Sequence, residues 1–223
     1  MQIHVNGIDI HYVSEGEGMP ILLLHGNGED HSIFDRLIED LKKDRKVFTI
    51  DTRGHGESEK VDSFRYSDMV EDVAAFIAEL GIERPVLYGF SDGGIVGLML
   101  ASKYPDMLSG LIASGANLTP KDLRPSFRMM TRVKNAFKRD PLLELMLNEP
   151  SITDDDLERI KIPVLITVAE KDIVSVSHAE HIAGKIPRGS MTVVPKEDHG
   201  SYIVHSEKLF PLISDFIDSI SAV

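Results

Sequence analysis

The sequence of 223 residues contains no cysteine. Disulfide bonds, thiolate metal sites and a cysteine nucleophile are therefore excluded, and the fold should be indifferent to redox conditions. No apolar run approaches the length of about 18 residues that a membrane-spanning helix needs. The first ten residues, MQIHVNGIDI, lack the charged and apolar regions of a signal peptide, so we expect a cytoplasmic protein.

Positive charge is in short supply. The chain has 24 Lys and Arg against 36 Asp and Glu, a formal net charge of −12, and no basic tail. This balance favours solubility and argues against nucleic acid or an anionic membrane as the main partner. Internal repeats and low-complexity tracts are also lacking. A hydrophobic fraction of 42% in a chain of this length is sufficient for the core of one α/β domain.

The first 50 residues predict the start of an α/β sheet. Residues 2–13 alternate apolar and polar side chains around an Asn-Gly dipeptide, which predicts a tight hairpin between two edge strands. The continuous apolar run 21–24 predicts a strand buried on both faces. Residues 32–43 follow with helical spacing, and 46–50 predict the next strand.

The alternation of strands and helices continues with one interruption. We predict an amphipathic helix over 66–80, with Ser67 as its N-cap and Gly81 just beyond its end. A short buried strand is predicted over 107–113. From 117 to 160, prolines punctuate short helical pieces and the alternation stops. Strands and helices are then predicted over 164–168, 177–186, 191–194 and 208–220.

The segment 85–104, PVLYGFSDGGIVGLMLASKY, predicts a buried strand, a sharp turn at Ser91 and a helix that Pro105 ends. Gly89 to Gly93 fit the Gly-x-Ser-x-Gly pattern of a nucleophile elbow, in which a strained turn lifts the hydroxyl clear of the sheet. So tight a corner brings neighbouring backbone into contact, and a Cβ on its glycines would collide. The alternative is a Gly-rich turn with a serine that has no catalytic role. Other motifs in the sequence are needed to choose between the two.

Three further motifs supply that context, and together the four resemble the α/β-hydrolase family over nearly the whole chain. They are HGNG at 25–28, Asp172 in VAEKDIV and His199 in KEDHGSY. The family's chain order is serine, acid, histidine. The resemblance implies an α/β-hydrolase fold, with a mostly parallel sheet and helices on both faces. It also implies a single domain over 1–223, with 117–160 as a small helical lid.

The residues that carry the resemblance suit catalysis by a serine nucleophile. A serine hydroxyl is a poor nucleophile until a base takes its proton, and histidine has a suitable pKa for that exchange. The family places this base in a short loop before the last helix, which is the position of His199. Asp172 would orient the histidine, although the common Gly-x-x-Asp lead-in is absent. The backbone N–H groups of Asn27 and Asp92 would form the oxyanion hole, the latter at a helix N-terminus that favours an anion.

We expect the other candidate acids and the other histidines to be solvated, structural or at the surface. Glu170 and Asp198 are competitors for the acid position, and we expect both to be solvated. His55 is expected to be structural. His178 and His181 could share a metal, but no acidic partner has the right spacing, so we predict neither a metal nor a cofactor. The remaining single histidines are expected at the surface or at a sheet edge: His4, His11, His31 and His205.

The leading functional interpretation is a serine hydrolase that cleaves a small ester, thioester or amide through an acyl-enzyme. A carbon–carbon bond hydrolase, a cofactor-free perhydrolase and a receptor-like protein that retains the triad remain alternatives, because a fold does not imply a function. Dehalogenase and epoxide hydrolase chemistry are disfavoured, because those relatives carry an aspartate where this chain has Ser91. The sequence leaves the oligomeric state open.

Residues 89–105 are most similar to the branch that contains valacyclovir hydrolase, where an aspartate also follows the serine. The resemblance implies that Asp92 pairs with a substrate ammonium group. The alternative is that Asp92 turns away, to pair with a local cation or to cap its helix.

The predicted lid has an apolar set that we expect to cover the site: Phe127, Met130, Val133 and Phe137. Phe127 and Met130 are the predicted substrate contacts. Arg124, Arg128 and Arg132 repeat every fourth residue, so we expect them to form a solvated face on one side of the same helix.

Overall fold

The computed structural model describes residues 1–221. Its strands are β1 (Gln2–Val5), β2 (Ile8–Glu15), β3 (Met19–Leu24), β4 (Arg45–Ile50), β5 (Val86–Phe90), β6 (Gly110–Ser114), β7 (Val164–Lys171) and β8 (Gly189–Asp198). They form one sheet in the order β1-β2-β4-β3-β5-β6-β7-β8. The pairs β1–β2 and β2–β4 are antiparallel, and all later pairs are parallel. The predicted α/β-hydrolase fold is confirmed.

The N-terminal hairpin forms as predicted. Asn6 and Gly7 both adopt positive φ angles, 49° and 76°, which a two-residue hairpin turn requires. The prediction of two edge strands is wrong for β2, which lies between β1 and β4. This strand is twice as long as β1, and its second half, from Tyr12 to Glu15, pairs with β4. Only β1 is therefore exposed as an edge at this end of the described sheet.

The sheet is covered on both faces. The helices outside the long β6–β7 connection are α1 (Asp35–Leu41), α2 (Tyr66–Glu79), α3 (Asp92–Lys103), α7 (Val176–Lys185) and α8 (Phe210–Ser221). Helices α1 and α8 pack on one face, and α2, α3 and α7 pack on the other. Within residues 1–221 no helix combines the length and the apolar character needed to cross a membrane.

The ends of two predicted helices differ in detail. The predicted helix 32–43 begins with a 3-10 turn, His31–Phe34, before α1 starts. Ser67 is not the N-cap of α2, because the helix already begins at Tyr66 and Arg65 occupies that position. Gly81 does follow the end of α2 with a positive φ of 62°, as predicted.

The connection between β6 and β7 contains the predicted short helices. After a 3-10 turn at Pro120–Asp122 come α4 (Pro125–Phe137), α5 (Pro141–Asn148) and α6 (Asp154–Glu158). Pro120, Pro125 and Pro141 each stand within the first turn of a helix, where the missing N–H costs no hydrogen bond. Three of the prolines that punctuate this part of the sequence therefore mark where the 3-10 turn, α4 and α5 begin. We call residues 117–160 the insertion.

The sequence motifs meet at one edge of the sheet. His25 follows β3, Ser91 follows β5, Asp172 follows β7 and His199 follows β8. These strands are parallel, so their carboxyl ends lie on the same side, which is where open α/β sheets bind their ligands.

Candidate active site

Ser91 occupies a strained corner between β5 and α3. Its φ of 50° and ψ of −111° are unusual for a residue with a side chain, and such conformations cost about 1–3 kcal/mol. Ser91 N–H donates to the Ser114 carbonyl (2.7 Å), which holds the turn. A Cβ on Gly89 would collide with the Gly93 carbonyl, and one on Gly93 with the Leu24 carbonyl. The predicted need for glycine at these two positions is confirmed.

The three predicted triad residues form a continuous hydrogen-bonded chain. His199 Nε2 lies 3.0 Å from Ser91 Oγ, and His199 Nδ1 lies 2.6 Å from Asp172 Oδ1. A carboxylate only accepts, so Nδ1 carries the proton and Nε2 is free to accept from the serine hydroxyl. Asp172 is fully buried, whereas His199 is partly exposed. The geometry thus matches the relation of nucleophile, base and orienting acid.

The turn that carries Asp172 closes without the missing glycine. Asp172 N–H donates to the Ala169 carbonyl (3.2 Å), and Asp172 Oδ2 accepts from Ala169 N–H (3.1 Å). The competing acids are engaged elsewhere and exposed, as expected. Glu170 accepts from Lys196 N–H, and Asp198 accepts from backbone N–H groups of its own loop.

The loop that carries Asn27 is held by two histidines. His25 is buried, donates from Nδ1 to the Gly26 carbonyl (2.8 Å) and accepts at Nε2 from Thr52 N–H (3.0 Å). Burial lowers the pKa of His25 to about 4, so the ring stays neutral. His55 Nε2 accepts from Gly28 N–H (3.1 Å), in agreement with its predicted structural role. Both rings therefore position the loop.

The two residues predicted to supply oxyanion donors are joined by their side chains. Asn27 Nδ2 donates to Asp92 Oδ2 (2.9 Å), and the Tyr66 hydroxyl donates to Asp92 Oδ1 (2.7 Å). Burial raises the pKa of Asp92, and the two hydrogen bonds act in the opposite direction. Its partners are neutral, so Asp92 does not pair with the local cation that was one alternative. Its N–H is the first of α3, which leaves it without a partner inside the helix.

A cavity of ≈ 230 Å³ opens directly onto Ser91 and His199, and Phe127 lines its wall. Met130 instead lines a separate cavity of ≈ 460 Å³ beside Asp172. Val133 and Phe137 are exposed, so the prediction that they cover the site is wrong. The reason is the orientation of α4, whose inward side is formed by Phe127 and the buried Thr131.

Glu29 is a cavity residue that the sequence did not single out. It lies one residue beyond the HGNG motif and lines the same cavity as Ser91 and His199. Glu29 Oε2 accepts from Gly26 N–H (3.0 Å), and burial raises the pKa of its carboxyl. Among residues 1–221, no lysine or arginine forms an ion pair with Glu29. A carboxylate therefore faces the cavity without a compensating cation.

Two histidines predicted at the surface instead contact a buried acid. His11 and His31 donate from Nδ1 to Asp51, at 2.9 Å and 2.8 Å, while His4 and His205 are exposed as expected. Burial acts to raise the pKa of Asp51, but hydrogen bonds from Glu57 and His31 outweigh it and lower that pKa to about 2.

The cluster His11–His31–Asp51 is the group of described residues whose ligand atoms lie close enough to hold a metal ion. The Asp51 oxygens already accept from both rings and from two backbone N–H groups, so hydrogen bonding accounts for the cluster. His178 and His181 have separate partners, since His178 accepts from Leu118 N–H and His181 contacts Asp154.

A family model described as alpha/beta hydrolase fold matches residues 19–146 of the sequence. The chain belongs to the α/β-hydrolase family. Serine hydrolase BPHL of Homo sapiens, a valacyclovir hydrolase, is 27% identical to this α/β hydrolase over 97% of the chain and 85% of that protein. The AB hydrolase superfamily protein YisY of Bacillus subtilis (strain 168) is 26% identical, with 92% and 93% covered. The predicted resemblance to the valacyclovir hydrolase branch is confirmed.

Solved structures share the fold of this α/β hydrolase. A thermophilic esterase from Thermogutta terrifontis superimposes with a TM-score of 0.81 at 22% identity, covering 99% of both chains. The enol-lactonase from Burkholderia xenovorans LB400 superimposes with a TM-score of 0.80 at 21% identity, covering 98% of this chain and 100% of that one. Together with the sequence relatives, these matches identify the protein as an α/β-hydrolase enzyme.

Proposed function

We propose that the protein is a serine hydrolase that cleaves a small ester, thioester or amide through an acyl-enzyme on Ser91. The observation that carries this proposal is the chain of hydrogen bonds from Ser91 Oγ through His199 to Asp172. The names of two relatives, a serine hydrolase and a thermophilic esterase, support the same carboxylesterase-like chemistry.

In the acylation step, Ser91 Oγ attacks the carbonyl carbon while its proton passes to His199 Nε2. The carbonyl oxygen becomes an oxyanion, which accepts hydrogen bonds from the N–H groups of Asn27 and Asp92. Each such donor contributes about 3–4 kcal/mol of transition-state stabilisation. The imidazolium is stabilised by Asp172 and then protonates the leaving group as the tetrahedral intermediate collapses.

In the deacylation step, water takes the place of the serine. The water oxygen attacks the acyl carbon while His199 Nε2 accepts a proton from the water. The imidazolium then returns that proton to Ser91 Oγ as the acyl bond breaks. The partly exposed His199 ring permits water to reach it once the leaving group has left the cavity. These steps need only the side chains and backbone groups already described.

The insertion is proposed to serve as a small lid within a single domain. Phe127 and Met146 come from it, and both line the cavity above Ser91. The lid contacts the segment that follows β7. Leu123 and Val174 form a β-bridge, and Arg124 N–H donates to the Ile173 carbonyl (2.8 Å). A substrate of small size would fit the ≈ 230 Å³ that remains.

The proposed activity is tested with a fluorophosphonate probe and a panel of esters, thioesters and amides of graded length. We expect covalent labelling that maps to the peptide containing Ser91, together with turnover of at least one class. Labelling without any turnover would favour a receptor-like protein, and failure of both in the folded protein would contradict the proposal.

We also propose that the cavity favours a substrate carrying a positive charge. Glu29 lines it, and Asp92 lines a neighbouring cavity of ≈ 10 Å³ that also reaches Ser91. Neither carboxylate forms an ion pair with a lysine or arginine in the described chain. Burial raises the pKa of Glu29, and the nearby charge of Asp92 acts in the same direction. A cationic group would relieve this uncompensated negative charge, whereas an anionic substrate would add to it.

An L-amino-acid ester should therefore be preferred over its des-amino analogue of equal length. We expect a ratio of kcat/KM on the order of 30-fold or more, which corresponds to about 2 kcal/mol for a desolvated charge pair. The ratio should fall on acidification through the raised pKa of Glu29, because the neutral carboxyl no longer attracts an ammonium. Steady-state kinetics with both esters across pH measure it.

Two isosteric variants show which carboxylate attracts the ammonium group of the substrate. Glu29→Gln retains an acceptor for Gly26 N–H, and Asp92→Asn can accept from Asn27 while donating to the Tyr66 oxygen. Loss of the preference in one variant identifies the carboxylate that binds the ammonium. Equal kcat/KM for both esters in the native enzyme would contradict the charge preference and leave the hydrolase proposal standing.

A further inference from the structure

Helix α4 presents an apolar stripe to solvent. Apart from Met1, the large hydrophobic side chains that are exposed in the described chain all belong to this helix: Met129 (60%), Met130 (45%), Val133 (47%) and Phe137 (89%). At about 100° per residue they fall on one side of the helix, with Thr131 opposite and Phe127 beside Met130, and span about 12 Å. We call these four residues the outer stripe.

Cations flank the outer stripe on both sides. Arg128 and Arg132 follow one border, and Lys134 follows the other. Residues 121–139 contain seven lysines and arginines and one acid, Asp122, in a chain whose net charge is −12. Helix α4 itself contains no acid. The positive charge that is scarce elsewhere is therefore concentrated around the outer stripe.

We propose that α4 docks the enzyme on an anionic lipid surface, with the outer stripe among the acyl chains and the flanking cations on the headgroups. A helix with an apolar ridge bordered by Lys and Arg, and with a low overall hydrophobicity, has the properties of a helix that lies in the membrane interface. The acidic body does not prevent this docking, because exposed charges beyond about 8 Å are screened at physiological ionic strength.

The same charges argue against a second copy as the occupant. A twofold dimer through the outer stripe would bring the cations of one helix against those of the other, and like charges at an interface are unfavourable. An anionic lipid surface offers acyl chains for the outer stripe and negative headgroups for the flanking cations.

Docking of α4 would also place the active cavity at the lipid surface. Phe127 lies on the inward side of the same helix and lines the cavity with Ser91. Esters dissolved in the membrane would then reach the cavity from the lipid side. Binding to lipid itself is independent of the proposed hydrolase activity and can be measured without it.

Flotation of the full chain with vesicles tests the proposal. We expect the protein to float with equimolar phosphatidylcholine and phosphatidylglycerol, about tenfold more than with phosphatidylcholine alone, and to be released by high salt. The double variants Val133→Ser/Phe137→Ser and Arg132→Gln/Lys134→Gln should each lose binding. The first removes the apolar contact, and the second removes two of the cations.

The matched control is Arg36→Gln/Lys161→Gln, which removes two exposed cations outside the insertion and should float like the native chain. Equal melting temperatures establish that the variants are folded. Failure of the folded native chain to float at low salt would overturn the proposal, as would full binding by Val133→Ser/Phe137→Ser. A dimer in light scattering that this variant dissociates, without flotation, would assign the outer stripe to a second copy and also overturn it.

Discussion

Replacing Ser91 with alanine should abolish covalent labelling by fluorophosphonates and lower kcat by on the order of 10⁴-fold or more. The Oγ atom forms the proposed acyl bond, and no other described side chain is hydrogen-bonded to His199 Nε2. Only binding and the proposed oxyanion donors would then act on the substrate. Labelling followed by mass spectrometry, and turnover of the best ester, measure the two effects.

Folding should be unaffected by this substitution, because alanine keeps the Cβ and the backbone hydrogen bond to Ser114. The control variant is Ser63→Ala, which removes an exposed serine hydroxyl and should keep both labelling and turnover. An unchanged melting temperature in Ser91→Ala would show that the loss is chemical. Undiminished esterase activity in the folded variant would exclude Ser91 as the nucleophile.

Removing both His199 and Asp172 should cost little more activity than removing His199 alone. Asp172 lies 2.6 Å from the histidine and is proposed to act only through it, so the two losses are not additive. We expect Asp172→Asn to lower kcat/KM on the order of 10³- to 10⁴-fold, because an amide can stabilise the wrong tautomer of the ring. Steady-state kinetics of His199→Ala, Asp172→Asn and the double variant measure the coupling.

Glu170→Gln is the matched control, since Glu170 is the nearest competing acid and accepts a hydrogen bond from Lys196 N–H instead. Its activity should stay close to that of the native enzyme. If the double variant lost the product of the two single factors, Asp172 would be acting independently of His199. A large loss in Glu170→Gln would move the orienting role to that acid.

The order of strands and helices could be predicted because a parallel strand that is covered on both faces appears in the sequence as an uninterrupted apolar run. Residues 21–24 are apolar without interruption because both faces of β3 are covered, and they are fully buried. The position of β2 inside the sheet could not be predicted in this way. Its pairing with β4 joins residues about 35 positions apart, and no local pattern specifies such a partner.

The proposed triad was predictable because each residue closely follows a strand that the sequence predicts. Glu29 was not, because it lies in a loop where acidic residues are common and its orientation towards the cavity depends on the fold. The contacts of His11 and His31 with Asp51 likewise join three distant segments. The outward direction of Val133 and Phe137 was missed because a helical period shows that an apolar face exists but not what it faces.

The hydrogen bond between Asn27 and Asp92 links the two residues whose backbone N–H groups are proposed to face the oxyanion. Asn27 Nδ2 also lies 3.4 Å from the Leu142 carbonyl of α5, so the same amide reaches the insertion. Replacing either side chain with one that cannot form hydrogen bonds removes this contact from the other, so apolar substitutions at 27 and 92 should be tolerated mainly in compensating pairs. Across related sequences, these two positions are therefore expected to vary together rather than separately.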